Sequence, residues 1–330
     1  MKTLFYIFIF FNCAILFAQD VHWSQFYDNP LFISPSNTGN HDGEHRIITS
    51  YKDQWRSVTK AFQTFSLSYD KKLKNEDLRL GAVFLSDQVG DGKFKTMELL
   101  LSSSYFIPLN QKKTHNFLTG IQLGWNHRSF DFNQFYFDEQ YNGVTYDPSI
   151  QNTEDLAQDK KNNFTLSAGV KYQAVLKNKS LFEFSYSTFN LNQANNSFYQ
   201  SKVKRDLRHT LFVQYFWNYD KKFKILPSII FQKQGEFNEF LFGSNFQTHF
   251  IKKRSTQVVH FGVFMRLKDA FIVKTGLQYN SWYLGLSYDV NISSLQTASN
   301  KRGGFEINLR YILYKLRTEN KIYQQCPDFL

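Results

Sequence analysis

The sequence predicts an all-β fold, a transmembrane antiparallel β-barrel of about 14 strands with an N-terminal segment packed in or under it. Four observations predict this. Apolar and polar residues alternate with period two in run after run from about Glu44 to Leu316. The runs are long for a soluble sheet, mostly near the roughly 9–11 residues that a strand needs to cross a bilayer. Many of them end in Trp, Tyr or Phe, where a strand passes through the membrane interface. The connections, finally, are sorted by length onto alternate joints.

The chain opens with MKTLFYIFIFFNCAILFA: one lysine, an apolar run, then small or apolar residues before Gln19. That is the layout of a secretory signal peptide over residues 1–18, cleaved after Ala18. The run is shorter than the roughly 20 residues of a spanning helix. Cys13 lies inside it, after Asn12, which fits a lipoprotein signal poorly. Cleavage leaves Cys326 as the one thiol, so the exported chain has no internal disulfide.

Residues 19–43 have little period but many rings and two Pro steps. Alternation is too weak there for a strand, and the rings are too many for a disordered leader. Trp23, Phe26, Tyr27, Pro30, Leu31, Phe32 and Pro35 are therefore expected to pack in or under the barrel as a plug. Asn29-Pro30 and Ser34-Pro35 restrict the residue before each proline and set bends. The segment is expected to close the periplasmic end.

Candidate strands follow at 44–55, 60–69, 78–86, 95–107, 116–128, 163–175, 180–189, 207–217, 223–234, 237–249, 257–266, 270–279, 281–289 and 304–316. In the fifth, Phe117, Thr119, Ile121, Leu123 and Trp125 share one face, and Gly120, Gln122, Gly124, Asn126 and Arg128 the other. The sixth and thirteenth repeat the pattern. Strand boundaries leave twelve or sixteen strands open as alternatives. Arg128, Lys171 and Lys274 are candidates for the interior of a barrel wide enough to have a lumen. The barrel domain is 44–316, and 317–330 is a C-terminal periplasmic tail.

Even-to-odd joints such as DKKLKNED, LNQKKTH, LKNKS and IKKRST are short and mostly basic. Odd-to-even joints include the long stretches Ser129–Asn162, NLNQANNSFYQSKVKRD and VNISSLQTASNKRGG. Short turns on one side and long loops on the other are the sidedness of an outer-membrane barrel, which also leaves no backbone group unpaired in lipid. A soluble sandwich has no reason to sort its loops this way.

The formal charge is +11, and 36 Phe and 19 Tyr stand against 3 Met and 6 Pro. That aromatic excess favours strands. The cations sit in separate turns and the rings are best used against outer-membrane lipid, so no nucleic-acid partner is expected. Lys112, Lys113, Lys252, Lys253 and Arg254, with Cys326, are either solvated or a docking surface for a periplasmic partner. On the opposite side, Phe135, Tyr136, Tyr141 and Tyr146 in one long loop, with Phe198 and Tyr199 in another, pack on the mouth or form a contact surface.

No catalytic, cofactor-binding or metal site is expected. The sequence has no nucleophile elbow, P-loop, dinucleotide glycine pattern or CxxC pair. His41, Asp42, Glu44 and His45 have metal-ligand chemistry, as do Asp87 and Asp91 for calcium, but both groups are turns that solvate well. His209 and His260 lie in strands with no serine tied to either.

Five stretches resemble the PorP/SprF family of Bacteroidetes, outer-membrane proteins of the type IX secretion system. That family begins with S-Q-(Y/F)-x-x-N-P-L-x-x-N-P-(A/S)-x-x-G. Ser24, Gln25, Phe26, Asn29, Pro30, Leu31, Pro35 and Gly39 match it, with Ser34 where Asn is usual. The region from Arg46 with YKDQWR, the FDEQYNG…YDP loop, GLSYDVNISSLQTASNKRGGFEI and the ending CPDF are also similar. The resemblance covers essentially the whole exported chain. It implies a non-enzymatic barrel of the secretion and gliding system that binds the C-terminal domain of an exported surface protein. It also implies contact with periplasmic lipoproteins or other secretion-machinery components. A passive or selective channel and a core structural part of the machinery are the alternatives.

Overall fold

Strands of these lengths cannot leave backbone groups open in lipid, and the chain answers by closing its sheet. The computed structural model describes residues 20–54, 56, 61–73, 77–90, 92–131, 135, 137–147, 149–150, 159–199, 202–252, 255–293 and 302–314. Fourteen antiparallel strands form one closed barrel in which each pairs with its neighbours in sequence. They are β1 (His45–Gln54), β2 (Phe62–Lys72), β3 (Leu78–Val89), β4 (Phe94–Pro108), β5 (His115–Ser129), β6 (Lys160–Val175) and β7 (Leu181–Phe189). β8 (Arg208–Asn218), β9 (Phe223–Gln234), β10 (Phe237–Lys252), β11 (Ser255–Arg266), β12 (Ala270–Tyr279), β13 (Trp282–Asn291) and β14 (Arg302–Leu313) complete the ring. The seam runs from His45 opposite Leu313 to Gln54 opposite Gly304. Every expected strand forms, with ends moved by three residues at most.

Period two sends each strand's two faces to different solvents. On β5, Leu118, Gln122 and Asn126 are buried inside, whereas Ile121, Leu123 and Trp125 stand outside. No helix among the described residues is long and apolar enough to cross a membrane. Histidine–tyrosine pairs cap the apolar belt on the outer wall. His45 with Tyr69 and His115 with Tyr172 lie toward the short-turn end, each at 2.7 Å, and His209 with Tyr186 lies toward the long-loop end at 2.9 Å.

The start of β1 and the end of β14 lie at the short-turn end. The opposite end carries the long β5–β6, β7–β8 and β13–β14 connections. Residues 1–18, Tyr136, Lys253, Arg254 and Cys326 with the rest of 317–330 lie outside the described residues.

Candidate functional site

Asp20 to Gly43 stands inside the barrel rather than beneath it. Two proline-initiated turns compact it: a single α-helical turn, Pro30–Ile33, and a 3-10 turn, Pro35–Asn37, in which the Ser34 Oγ accepts from the Ser36 N–H. Both prolines sit at the first position of their turn, where the missing N–H costs nothing. Trp23, Phe26, Leu31 and Pro35 are buried, and Tyr27, Pro30 and Phe32 are half-buried.

The segment meets two apolar patches of a largely polar lumen. Phe26 and Ile33 pack with Phe212, Ile230, Leu241, Phe264 and Ile272 on one wall, and Leu31 packs with Val83 and Leu100 on the other. Phe26 presents edge-to-face contacts to Phe212 at 5.9 Å and Phe264 at 5.7 Å. Burial of a side chain such as Phe26 or Leu31 contributes about 1.5–3 kcal/mol.

Polar groups fix the register. From the long-loop side downward, the Lys52 Nζ donates to the His22 carbonyl at 2.9 Å and pairs with Glu306 at 3.1 Å. Glu306 also accepts from the Ser24 and Gln25 amides at 2.6 and 2.8 Å. Asp28 meets Lys274, the Tyr283 hydroxyl at 3.3 Å and Arg310 at 3.5 Å. The Ser50 hydroxyl donates to Asn29 Oδ1 at 2.8 Å. Lower down, Lys171 bridges Glu183 at 2.8 Å and Asn37 Oδ1 at 3.1 Å. Asp70 holds Arg46 and the Gly39 amide, each at 2.6 Å. Buried charges survive only when paired and hydrogen-bonded, and these are.

At the upper end Asp20 joins the segment to a surface loop. Arg205, in the β7–β8 connection, reaches Asp20 at 2.6 Å and Glu98 of β4 at 3.0 Å. Burial raises the Asp20 pKa, but Arg205 and Arg208 outweigh it and hold the carboxyl below the usual range. Above this contact, toward the long-loop end, lies a cavity of about 880 Å³ whose walls include Lys52, Thr64, Glu98, Arg128 and Asn238.

The candidates at the long-loop end divide. Phe198 and Phe135 pack among rings at the mouth: Phe198 lies edge-on against Phe94 at 5.9 Å and Phe130 at 4.9 Å, and Phe135, still 41% exposed, against Phe130 at 5.9 Å. The Arg128 guanidinium lies over Phe94 at 4.7 Å, so the fifth strand's inward cation ends among these rings. Tyr141 is 59% exposed, and Tyr199 is also exposed. Tyr141 and Tyr146 form a β-bridge, with the Tyr146 hydroxyl donating to Gln140 Oε1 at 3.2 Å. At the other end Lys112 and Lys113 are exposed in the β4–β5 turn, and Lys252 closes β10. The HDGEH residues separate: His45 turns outward to Tyr69, whereas His41 lies largely buried at the foot of the lumen.

Sequence reading missed Asp20, Glu98, Arg205, Arg266, Asp289 and Glu306. A signal existed for some of them. Glu306 in GGFEINLRY and Asp289 in GLSYDVN fall on the face opposite the rings, where a charge in a spanning strand has to look inward.

Two histidines of the segment give it a pH dependence. Burial, then the Arg46 cation, push the His41 pKa down to about 3, against an opposing pull from Asp70. Burial and the Lys52 cation place His22 well below its ordinary value. Both rings are neutral when seated and titrate near 6.5 in an unfolded chain. The unfolded state therefore binds more protons below that pH, and stability present above about 6.5 is lost as pH falls toward about 3. Hydrogen exchange of the Gly39–Gly43 amides, corrected for intrinsic rate, is expected to be faster at pH about 5 than at about 7.5. His22→Gln with His41→Gln should flatten that difference.

A closed ring with a lipid-facing apolar belt, a charged interior and connections sorted by length is a β-barrel membrane protein of the outer-membrane type. Residues 15–311 match the family described as type IX secretion system membrane protein PorP/SprF, and the chain belongs to that family. Similar solved structures include the CymD monoaromatic hydrocarbon channel, 7% identical over 87% of this chain and 93% of that one, with a TM-score of 0.49. The Ralstonia pickettii toluene transporter TbuX is 8% identical over 86% and 93%, with a TM-score of 0.49. The KdgM porin in complex with disordered oligogalacturonate is 8% identical over 82% and 99%, with a TM-score of 0.42. No curated protein matches the chain in sequence.

Proposed function

We propose that this barrel binds the C-terminal domain of one exported surface protein and supports its secretion or its anchoring at the cell surface, without catalysis. One observation carries the reading: residues 20–43 occupy the interior and are ion-paired and hydrogen-bonded to its wall, which favours an anchor over a conduit. Membership of a type IX secretion family supports an exported partner. In an outer-membrane barrel the long connections face outward and the short turns face the periplasm. That orientation offers Tyr141, Tyr146 and Tyr199 to the cargo. It offers Lys112, Lys113 and the turn after β10 to periplasmic lipoproteins or other machinery, together with Cys326 and the tail. The leader 1–18 is removed on export, and residues 44–316 carry the wall that meets outer-membrane lipid.

The test is purification of the native complex followed by mass spectrometry. A large surface protein in the complex supports the anchor, and machinery components alone would overturn it. Tyr141→Ala with Tyr146→Ala is expected to lower cargo retention about tenfold, as loss of an exposed aromatic anchor does, while barrel insertion is unchanged. The cavity of about 880 Å³ favours a second reading, a substrate-selective channel. Single-channel recording in a planar bilayer distinguishes them: a large open pore would support the channel.

A further inference from the structure

The wall is uneven on one side. β6 has 16 residues and β7 has 9, and their ladder stops at Ala168 opposite Thr188. β7 ends because Asn190 adopts a left-handed φ of +62°. The Asn190 side chain then donates to Asp20 Oδ2 at 3.0 Å and to the Asp206 carbonyl at 3.2 Å. The loop that follows folds into the lumen, where Arg205 is clamped between Asp20 and Glu98. The upper half of β6 is left without a strand on that side.

Loop atoms cover only the first part of the exposed edge. The Leu191 N–H donates to the Leu166 carbonyl at 2.7 Å. The Asn192 amide imitates a strand: its Oδ1 accepts from the Leu166 N–H at 3.2 Å and its Nδ2 donates to the Phe164 carbonyl at 2.7 Å. Leu166 and Phe164 thus point their main-chain groups away from β5, and alternation gives Asn162 the same direction. Among the described residues, the Phe164 N–H and the Asn162 N–H and C=O have no hydrogen-bond partner. Phe164 is 73% exposed on the outer face, beside Trp125. Asn163 Nδ2 donates to Asn196 Oδ1 at 3.4 Å, and Asn195 of the same loop forms a β-bridge with the exposed Lys204, so this loop carries a cation near the edge.

We propose that the upper edge of β6, around Asn162 and Phe164, accepts an extended strand from the exported partner. Open main-chain donors and acceptors in register select a β-strand over a helix or a loop, because they are satisfied by backbone alone. The strand lays an apolar side chain on Phe164 and carries an acidic residue opposite Lys204. The proposal rests on the cargo-binding reading above and assigns the place where the cargo is held.

The test uses intact cells with a photo-reactive phenylalanine analogue at position 164 and, separately, at 141. Cross-links from 164 to one stretch of the C-terminal domain of an exported surface protein, identified by mass spectrometry, are the expected result. Asn162→Pro removes an N–H that β5 does not use, so the β5–β6 ladder survives, and retained cargo should fall about tenfold. Asn162→Ala keeps the backbone donor and should stay within about twofold. Cargo cross-links from 141 but not from 164, or full retention in Asn162→Pro, would overturn the strand-acceptor assignment and leave the cargo-binding reading intact. No cargo cross-link from either position would overturn both.

Discussion

A Gly120→Val protein is expected to lose its seated interior segment. A Cβ on Gly120 would stand 2.4 Å from the Pro35 carbonyl carbon and the Ser36 nitrogen. Those are backbone atoms of a proline-fixed turn, so no rotamer change relieves the clash. Gly169 lies opposite Gly120 in register, and a Cβ there would meet the Ser34 hydroxyl oxygen at 2.3 Å. A serine side chain can rotate, and Gly169→Ala should therefore be milder. Overpacking at Gly120 should cost about 3 kcal/mol, seen as a lower unfolding temperature in detergent and as a new conductance in planar bilayers. A Gly120→Val barrel that is as stable and as closed as the parent would show that the turn is not wedged against β5.

Asp28→Ala should be the most damaging single change to the charge pattern. It strips Lys274 and Arg310 of their shared carboxylate, and Lys274 is almost wholly buried. Removing one partner of such a pair costs about 3–5 kcal/mol, because the remaining charge has no water to turn to. Lys274 also lies over the Tyr27 ring at 3.8 Å, a contact that does not replace a carboxylate. Asp28→Leu combined with Lys274→Met removes the buried pair at similar volume and, because Arg310 is partly exposed to solvent, should recover part of the loss. Denaturant unfolding of the two variants beside the parent measures it. Equal destabilisation by the single and double changes would mean that Asp28 acts through packing.

The strands were readable because lipid outside and a polar lumen inside impose one alternation on every element, as Ile121, Gln122 and Leu123 show on adjacent positions. Strand ends were less readable, since β6 and β10 extend past the belt where alternation no longer has to hold. The interior segment was visible as composition, in its rings and prolines, but its partners were not. Asp20 and Arg205 are 185 residues apart, and no local pattern links them. Phe198 looked like a surface ring because it lies in a long polar loop. It turned inward because Phe94 and Phe130, at the adjoining ends of β4 and β5, present faces to it. Tyr141, in the other long loop, stays out at 59% exposure.

The seam between β1 and β14 is stitched from within. Glu306 of β14 binds Lys52 of β1 while it accepts from the Ser24 and Gln25 amides. Asn308 of β14 donates to the Ser50 hydroxyl at 2.7 Å, and Ser50 in turn donates to Asn29. Until the last strand arrives, the amides of Ser24 and Gln25 lack their acceptor. Until the segment is seated, Glu306 keeps its ion pair with Lys52 but lacks the two amide donors of the segment. Ring closure and docking of the segment are therefore thermodynamically coupled, each stabilising the other. Residues that precede the first strand are thus matched to the last strand of the ring, and each completes the other's polar contacts inside the lumen.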